Sequence, residues 1–386
     1  YAKLYNREKD IIPIQISGEF NYNPLDNIAL KPTVLANRLK TILLLFSPNN
    51  TESYWIDKSE TVLAEAIKLC RLYNNGYVTF KEIHNLITNH DYYSEKINTL
   101  RNKFLKHKFN SDQSYDLLSA LNFFEKEFYS LDSRTFNILK SEITRITSCF
   151  VSDSDVLKTF CPEKSKNNFP GFQSIIESGK IVILNMNINE YKNLSKIIAT
   201  YLKLDFQTEV LRRLATNSTN IHPVAFISDE YSEYVSATDA NFFSQSRESK
   251  CINIVSTQSY TSLLNALNNK YSVEVIVQNL VNKGLDLTTC SPLKMLKNNY
   301  GKIDVEKTSK TISESAKETS YNFIMRSLQS KNSNISESIN TYTQHDYEFD
   351  TNFFSQNLNT FECLSFISDG KKILPPTKLK MLPYFK

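Results

Sequence analysis

His222-Pro223-Val224-Ala225-Phe226-Ile227-Ser228-Asp229-Glu230 is the stretch whose reading decides the fold. The run from Val224 to Ser228 is short, apolar and β-favouring, and Pro223 introduces it, so it reads as a buried parallel strand. Asp229 and Glu230 then emerge together at the carboxyl end of that strand. Working outward, Gly179 to Asn185 reads as another strand, Tyr191 to Ala215 as a long helix, and Cys251 to Thr257 as a strand that runs into Gln258. Strand, helix, strand, helix, strand is the order of a parallel sheet with crossover helices. Such sheets take their ligands outside the carboxyl ends of the strands, which is where the acidic pair stands.

The rest of the chain divides around that core. Residues 1 to 51 carry a β-like run from Asp10 to Ile16, a turn at Asn23-Pro24-Leu25 and a helix from Lys31 to Phe46, an incomplete first part of the α/β fold. From Tyr54 the apolar residues recur at helical spacing. Val62, Ala66, Leu69 and Cys70 make one stripe, and Leu117, Leu118, Leu121, Phe124 and Phe128 another. Thr79 and Glu82 fit a capping box between them. Residues 52 to 165 thus read as an all-helical domain inserted into an α/β domain that resumes over 166 to 386. Lys307 to Asn340 is rich in Ser, Thr, Asn and Lys and reads as exposed loops or a mobile connection. The tail regains strand character from Phe361 to Ile367 and turns at Asp369-Gly370, which predicts a terminal β-hairpin before Leu382-Pro383-Tyr384-Phe385.

With 386 residues the chain has room for more than one domain, and its 41% hydrophobic and 22% charged residues exclude disorder throughout. The 45 Lys and Arg against 41 Asp and Glu leave a formal charge of +4, too slight to demand a nucleic-acid partner. Cys70, Cys149, Cys161, Cys251, Cys290 and Cys363 lack a Cys-x-x-Cys spacing and read as reduced cysteines of a cytoplasmic protein. No run reaches the length that crosses a bilayer, and no signal peptide is visible. The chain begins at Tyr1 without an initiator Met, so the expectation is a piece of something longer. With five His residues and no Ser-His-Asp or metal-ligand pattern, hydrolase and zinc chemistry find no support.

Four residues carry a possible phosphate chemistry. An Asp at a strand tip can associate with Mg²⁺, and a Glu beside it can polarise a water that attacks a γ-phosphate. The bland alternative is that Asp229 caps the following helix. Arg247, in Ser246-Arg247-Glu248, lies where an arginine can place positive charge on a developing transition state, or it is a surface salt-bridge partner. Gln258, in Ser256-Thr257-Gln258-Ser259, can sense a phosphate at a strand tip or satisfy loop backbone. In the helical segment, Arg101-Asn102-Lys103-Phe104-Leu105-Lys106-His107-Lys108-Phe109 interleaves cations with aromatics. Its lysines and arginine could neutralise phosphates while Phe stacks on unpaired bases; the alternative is a solvated face with Phe in the core.

Asn23-Pro24-Leu25, Tyr54-Trp55, Gly76-Tyr77-Val78-Thr79, Gly179-Lys180-Ile181-Val182, Phe226-Ile227-Ser228-Asp229-Glu230-Tyr231, Ser246-Arg247-Glu248, Ser256-Thr257-Gln258-Ser259 and Gly301-Lys302 follow one another in an order that resembles the TraG/TraD-type conjugative coupling ATPases of type IV secretion, within the FtsK/HerA-like motors. The resemblance implies an α/β, RecA-like P-loop-type parallel sheet with an inserted all-α domain. It implies ATP and Mg²⁺ as cofactors, Asp229 as the Mg²⁺-associated and nucleotide-binding carboxylate, Glu230 as catalytic base, Arg247 as arginine finger and Gln258 as strand-tip sensor near the nucleotide. Arg101, Lys103, Lys106 and Lys108 become the DNA-binding candidates.

The partners implied are single-stranded DNA or a relaxase-DNA complex, secretion channel proteins, and further copies in a homo-hexamer. The localisation implied is the cytoplasmic face of a bacterial membrane, anchored through an N-terminal segment. The pattern breaks at one place: no Gly-x-x-x-x-Gly-Lys-Ser/Thr phosphate loop occurs, and Gly179-Lys180, Gly301-Lys302 and Gly370-Lys371 all miss its spacing. In the family this loop precedes the Asn-Pro-Leu segment, so it is expected upstream of Tyr1, and this stretch alone is expected not to hydrolyse ATP. Two rival readings stay open: a non-catalytic docking platform for secretion substrates, and a DNA translocase of the same superfamily with another role.

Overall fold

The computed structural model describes residues 2–46, 53–106, 108–215, 222–285, 302–322, 327–347 and 357–382. The chain forms two compact units, one of Tyr1–Thr257 with Ser262–Leu280 and one of Gln258–Thr261 with Val281–Lys386. In the first, β1 (Ile11–Ile14) leads through α1 (Pro32–Phe46) to a helical run of α2 (Ser53–Tyr73), α3 (Phe80–Thr88), α4 (His90–Leu105), α5 (Ser111–Asn122), α6 (Ser133–Val151) and α7 (Ser154–Phe160). There follow α8 (Phe172–Glu177), β2 (Ile181–Leu184), α9 (Lys192–Ala215), β3 (Val224–Ser228), α10 (Asp239–Gln245), β4 (Cys251–Val255), α11 (Tyr260–Leu267) and α12 (Lys270–Asn279).

The helical run is punctuated by side-chain caps. Thr79 and Glu82 form the expected capping box, with Thr79 N–H donating to Glu82 Oε2 at 2.9 Å. Asn89, Asn110, Asp132 and Asp153 cap α4, α5, α6 and α7 in turn. Each satisfies amides a helix start leaves unpaired, worth about 0.5–2 kcal/mol apiece. Apolar side chains of β1, α1, the helical run and α9 merge into one core that includes Ile14, Leu39, Phe80, Phe150 and Ile198. Phe80 and Phe150 stack with centroids 4.0 Å apart. Leu118 departs from its expected place in the α5 stripe and is 56% exposed. Leu117, Ala120 and Phe124 make the buried row, and Leu118, one residue further round the helix, falls beside it.

The Asn23-Pro24-Leu25 turn anchors the helical run between α2 and α3 and again at α7. Asn23 Nδ2 donates to Val78 O at 2.8 Å, Asn23 Oδ1 accepts from Leu25 N–H at 3.0 Å, and Tyr22 N–H donates to Thr159 O at 2.9 Å. Tyr77 OH donates to Pro162 O at 2.8 Å. Several of the motifs quoted for the family resemblance are therefore positions of structural clamping. A buried pair, Arg38 Nη1 on Asp205 Oδ1 at 2.6 Å, ties α1 to α9. Burial pushes the Asp205 carboxyl up, against the lowering effect of Arg38.

The parallel sheet takes the form of two separate pairs. β1 pairs with β2 across the whole helical segment, Ile11 opposite Ile181, and β3 pairs with β4, Val224 opposite Cys251. Among the described residues between Leu184 and Val224 the chain supplies a helix and no strand to join them. Each pair is covered on one face only. Phe226 packs on Phe206 of α9 with centroids 6.0 Å apart. The opposite face presents Ala225, Ile227, Ile252 and Ile254 to solvent, Ile227 being 71% exposed.

The second unit holds β5 (Lys283–Leu285), β6 (Lys302–Asn322), β7 (Ser327–Tyr347), β8 (Glu362–Phe366) and β9 (Thr377–Lys380). β5, β8 and β9 form an antiparallel sheet, and the predicted terminal hairpin is β8–β9. Asp369 Oδ1 accepts from the amides of Lys371 and Lys372, both at 2.8 Å, in its turn. Lys307 to Asn340 corrects the sequence expectation of loops. β6 and β7 are an antiparallel ribbon, Lys302 opposite Tyr347 and Asn322 opposite Ser327. Its backbone groups pair along the ladder, and the polar sequence has no apolar alternation to betray the strands.

Cys70, Cys149, Cys161 and Cys251 are free thiols. Burial pushes the Cys161 thiol up to about 12 and the Cys251 thiol up to about 11, which keeps both protonated and unreactive. Cys290, Gly301, His107 and Pro383 to Lys386 lie outside the described residues. Among those described, no helix is long and apolar enough to cross a membrane.

Candidate active-site half

β3 delivers Asp229 and Glu230 to the carboxyl ends of two parallel strands. Ser256 N–H donates to Ser228 O at 2.9 Å and Tyr231 N–H to Ser256 O at 2.8 Å, so the chain leaving β4 grips the acidic segment on either side. Glu230 adopts left-handed backbone angles, φ 46° and ψ 45°, before the single turn Tyr231–Glu233. A β-carbon-bearing residue held there costs about 1–2 kcal/mol, and such conformations persist where the surroundings enforce them. Asp229 is exposed and Glu230 half-buried. Asp229 Oδ1 accepts only from the next amide, Glu230 N–H, at 3.0 Å, and the turn that follows has no side-chain cap. The capping alternative for Asp229 is thereby excluded.

The enforcing element is a buried polar cluster around Asp239, the first residue of α10. Asp239 Oδ2 accepts from Lys203 Nζ at 2.6 Å, Tyr231 OH at 2.6 Å and Ser236 N–H at 3.0 Å. Asp239 Oδ1 accepts from Gln207 Nε2 at 2.9 Å and Ser236 Oγ at 3.1 Å. Lys203 also donates to the Tyr234 carbonyl. Burial pulls the Lys203 ammonium below its ordinary range, opposed by Asp239, and burial raises the Tyr231 phenol, which stays a donor. One carboxylate thus fastens the residue after Glu230, two positions on α9 and the start of α10. Truncating either member of such an ion pair leaves the other charge buried, which costs about 3–5 kcal/mol.

Arg247 sits just beyond the end of α10, exposed and in no ion pair among the described residues, which removes its salt-bridge alternative. Gln258 is exposed and belongs to the second unit. In the helical run Arg101 pairs with Glu125, Lys106 is the exposed C-cap of α4, and Lys103 and Lys108 line a cavity. Phe104 is 37% exposed rather than in the core.

The overall fold of the chain recurs in solved structures. The chain has the fold of the conjugative coupling protein TrwB. The unbound monoclinic form of TrwBdeltaN70 matches 97% of this chain and 75% of its own length with a TM-score of 0.58 at 12% identity. TrwB with the GTP analogue GDPNP matches equally well, TM-score 0.58 at 9% identity, and TrwB with ADP and Mg²⁺ gives 0.57 at 10%, with the same shares covered. No protein-family model matches the sequence, and no curated protein matches it.

Within the TrwB fold the donor set suits a nucleotide-borne Mg²⁺. Among the described residues no group of three or more metal-ligating side chains forms a protein cage. Mg²⁺ with ATP needs none, because one carboxylate suffices when phosphate oxygens and water fill the other positions. Asp229, exposed at the strand tip, is a carboxylate of that kind. A phosphate cradle is a loop between a strand and a helix. Gly179-Lys180 instead joins α8 to β2, Gly370-Lys371 turns the β8–β9 hairpin, and Lys302 opens β6. Sequence reasoning missed Lys203, Gln207 and Asp239. The available signal was Lys203 and Gln207 spaced one turn apart on α9, on a helix whose inward face is mostly apolar.

Proposed function

We propose that this chain is the motor part of a conjugation or type IV secretion coupling protein, an ATPase that delivers DNA or a relaxase-DNA complex to a secretion channel. The observation that carries the proposal is the acidic pair at the tips of β3 and β4, with Glu230 held in a left-handed conformation, inside the fold of TrwB. In a RecA-like reading, Asp229 would hold Mg²⁺, which would supply positive charge for phosphoryl transfer. Glu230 accepts the proton of the attacking water. Arg247, exposed and uncompensated, extends toward a neighbour's γ-phosphate, which makes a ring of copies part of the mechanism. Gln258 orients water or senses the phosphate at the strand tip.

The phosphate loop has no counterpart in this sequence, and the open apolar face of β3 and β4 is where a further α/β layer would pack, since parallel sheets are buried on both faces. A preceding strand, phosphate loop and helix would supply both, and a membrane anchor would belong to the same region. The experiment is ATP turnover, with and without single-stranded DNA, by the full-length protein that contains this chain. Glu230→Gln is expected to keep nucleotide binding and lose turnover. Arg247→Ala is expected to lose turnover and to be partly rescued on co-assembly with Glu230→Gln. Wild-type turnover in Glu230→Gln would sink the assignment, and absence of nucleotide binding in the full-length protein would favour a docking platform.

A further inference from the structure

A cavity of about 460 Å³ opens in the helical run between the ends of α2 and α4 and the start of α5, remote in the sequence from the acidic pair. Its wall carries Lys68, Arg71, Lys103, Lys108, Phe109 and one carboxylate, Asp116. Lys68 is neutralised by Glu65 at 2.8 Å. Arg71, Lys103 and Lys108 form no ion pair among the described residues, although Asp26 lies close enough to act on the charge of Arg71. Lys108 N–H donates to Lys103 O at 3.2 Å, which folds the chain back at the end of α4 and brings both lysines to one rim. Arg71 spends Nη1 and Nη2 on the carbonyls of Leu30 and Asn27, at 2.7 and 2.8 Å. Its Nε is buried with no hydrogen-bond partner among the described residues, and burial lowers its pKa from the ordinary arginine range. Phe109 is half-buried and lies directly before Asn110, the cap of α5.

Two lysines and an arginine in no ion pair against one lining carboxylate, an unsatisfied guanidinium N–H and an aromatic ring in a cavity of ligand size fit an anion that also carries a flat apolar group. We propose that this cavity binds one nucleotide unit, its phosphate on Lys103, Lys108 and Arg71 and its base against Phe109. The site chooses among the basic run that sequence reasoning treated as a whole: Lys103 and Lys108 belong to it, while Arg101 is engaged with Glu125 and Lys106 stands outside. The unit comes either from a free mononucleotide or from a single strand, which the motor reading favours; the anion chemistry itself does not rest on that reading.

The test is fluorescence anisotropy of the present chain with a labelled oligo(dT) of about 12 nucleotides, a length within the usual footprint of single-strand sites, competed by AMP, ATP and inorganic phosphate. Lys103→Gln/Lys108→Gln is expected to weaken binding about tenfold or more and to flatten the salt dependence, since each lost phosphate contact removes roughly one from its slope. Phe109→Leu is expected to weaken binding about tenfold with the slope kept, because stacking is not ionic. Arg101→Gln and Lys106→Gln are expected to bind as wild type. Unchanged melting temperatures certify that each variant is folded. Competition by AMP at concentrations far above those of oligomer assigns the site to a strand, and equal or better competition assigns it to a free nucleotide. Cavity variants that bind all probes like wild type, equal losses in Arg101→Gln, or phosphate competing as well as AMP would overturn the proposal. ATP turnover at the acidic pair is a separate readout, so failure of the motor assignment and failure of this site are distinguishable.

Discussion

The helical run and the β3–β4 pair finish their cores in opposite ways. Phe80, Leu86 and Phe150 are 0% exposed, enclosed by helices on every side, whereas Ile227, Ile252 and Ile254 face solvent at 71%, 54% and 53%. Both regions are equally apolar where they should be buried. The difference lies in what the described chain supplies as cover: the helices pack on one another, while the strand pair finds α9 on one face and nothing on the other. A region can therefore close its own core while another part of the same unit leaves an apolar face open.

Breaking the closed side gives the largest effect. Phe150→Ala is expected to cost about 3–5 kcal/mol, the loss for emptying a well-packed aromatic site, measured by chemical denaturation. A smaller loss would mean that the helical core is less tightly filled than its stacking with Phe80 requires. Next comes the buried cluster behind the acidic pair. Lys203→Met is expected to cost about 3 kcal/mol by stranding Asp239, and Lys203→Met/Asp239→Asn to recover part of it, a coupling of about 0.5–3 kcal/mol. Additive losses in that cycle would remove the cluster from its role as an enforced support.

Glu230→Gly is expected to raise stability by up to about 1 kcal/mol, because glycine occupies the left-handed region without penalty; a loss would show that Glu230 is held by favourable contacts rather than by its surroundings. Ile227→Thr on the open face is expected to change stability by less than about 0.5 kcal/mol, as an exposed substitution does. A loss above 2 kcal/mol would mean the face is covered, and the contrast with the helical run would fall.

The smallest effect is titration. His84 Nδ1 lies 2.9 Å from Thr147 Oγ1, and burial first, then Lys140, lowers its pKa from 6.5. A depressed folded pKa contributes stability that is present above pH 6.5 and lost as pH falls through the lower folded value. His84→Gln is expected to flatten that acid limb of the stability profile between those two values. An unchanged limb would assign it to the carboxylates.

Much of this was legible in the residues. Val224 to Ser228, the α1 and α9 helices, the Thr79 capping box and the Asp369-Gly370 hairpin were readable because local rules fix them: apolar period, caps and turn chemistry act within a few residues. The same rules placed Asp229 and Glu230 at a strand end. They failed for β6 and β7, whose polar residues carry no period, and for Leu118, where a one-residue step decides between core and solvent.

Pairing at long range was decided by the tertiary structure alone. Nothing local in Ile11 to Ile14 names Ile181 to Leu184 as its partner, and Lys203, Gln207, Tyr231 and Asp239 come from separate elements that only packing brings within hydrogen-bond reach. The left-handed turn at Glu230 and the sorting of Lys103 and Lys108 from Arg101 are of the same kind. Sequence by itself determined the elements and where the acids leave the sheet, because those depend on neighbours along the chain. Tertiary structure decided which charges are held, which are free and which apolar face is left open, because burial and partnership depend on neighbours in space.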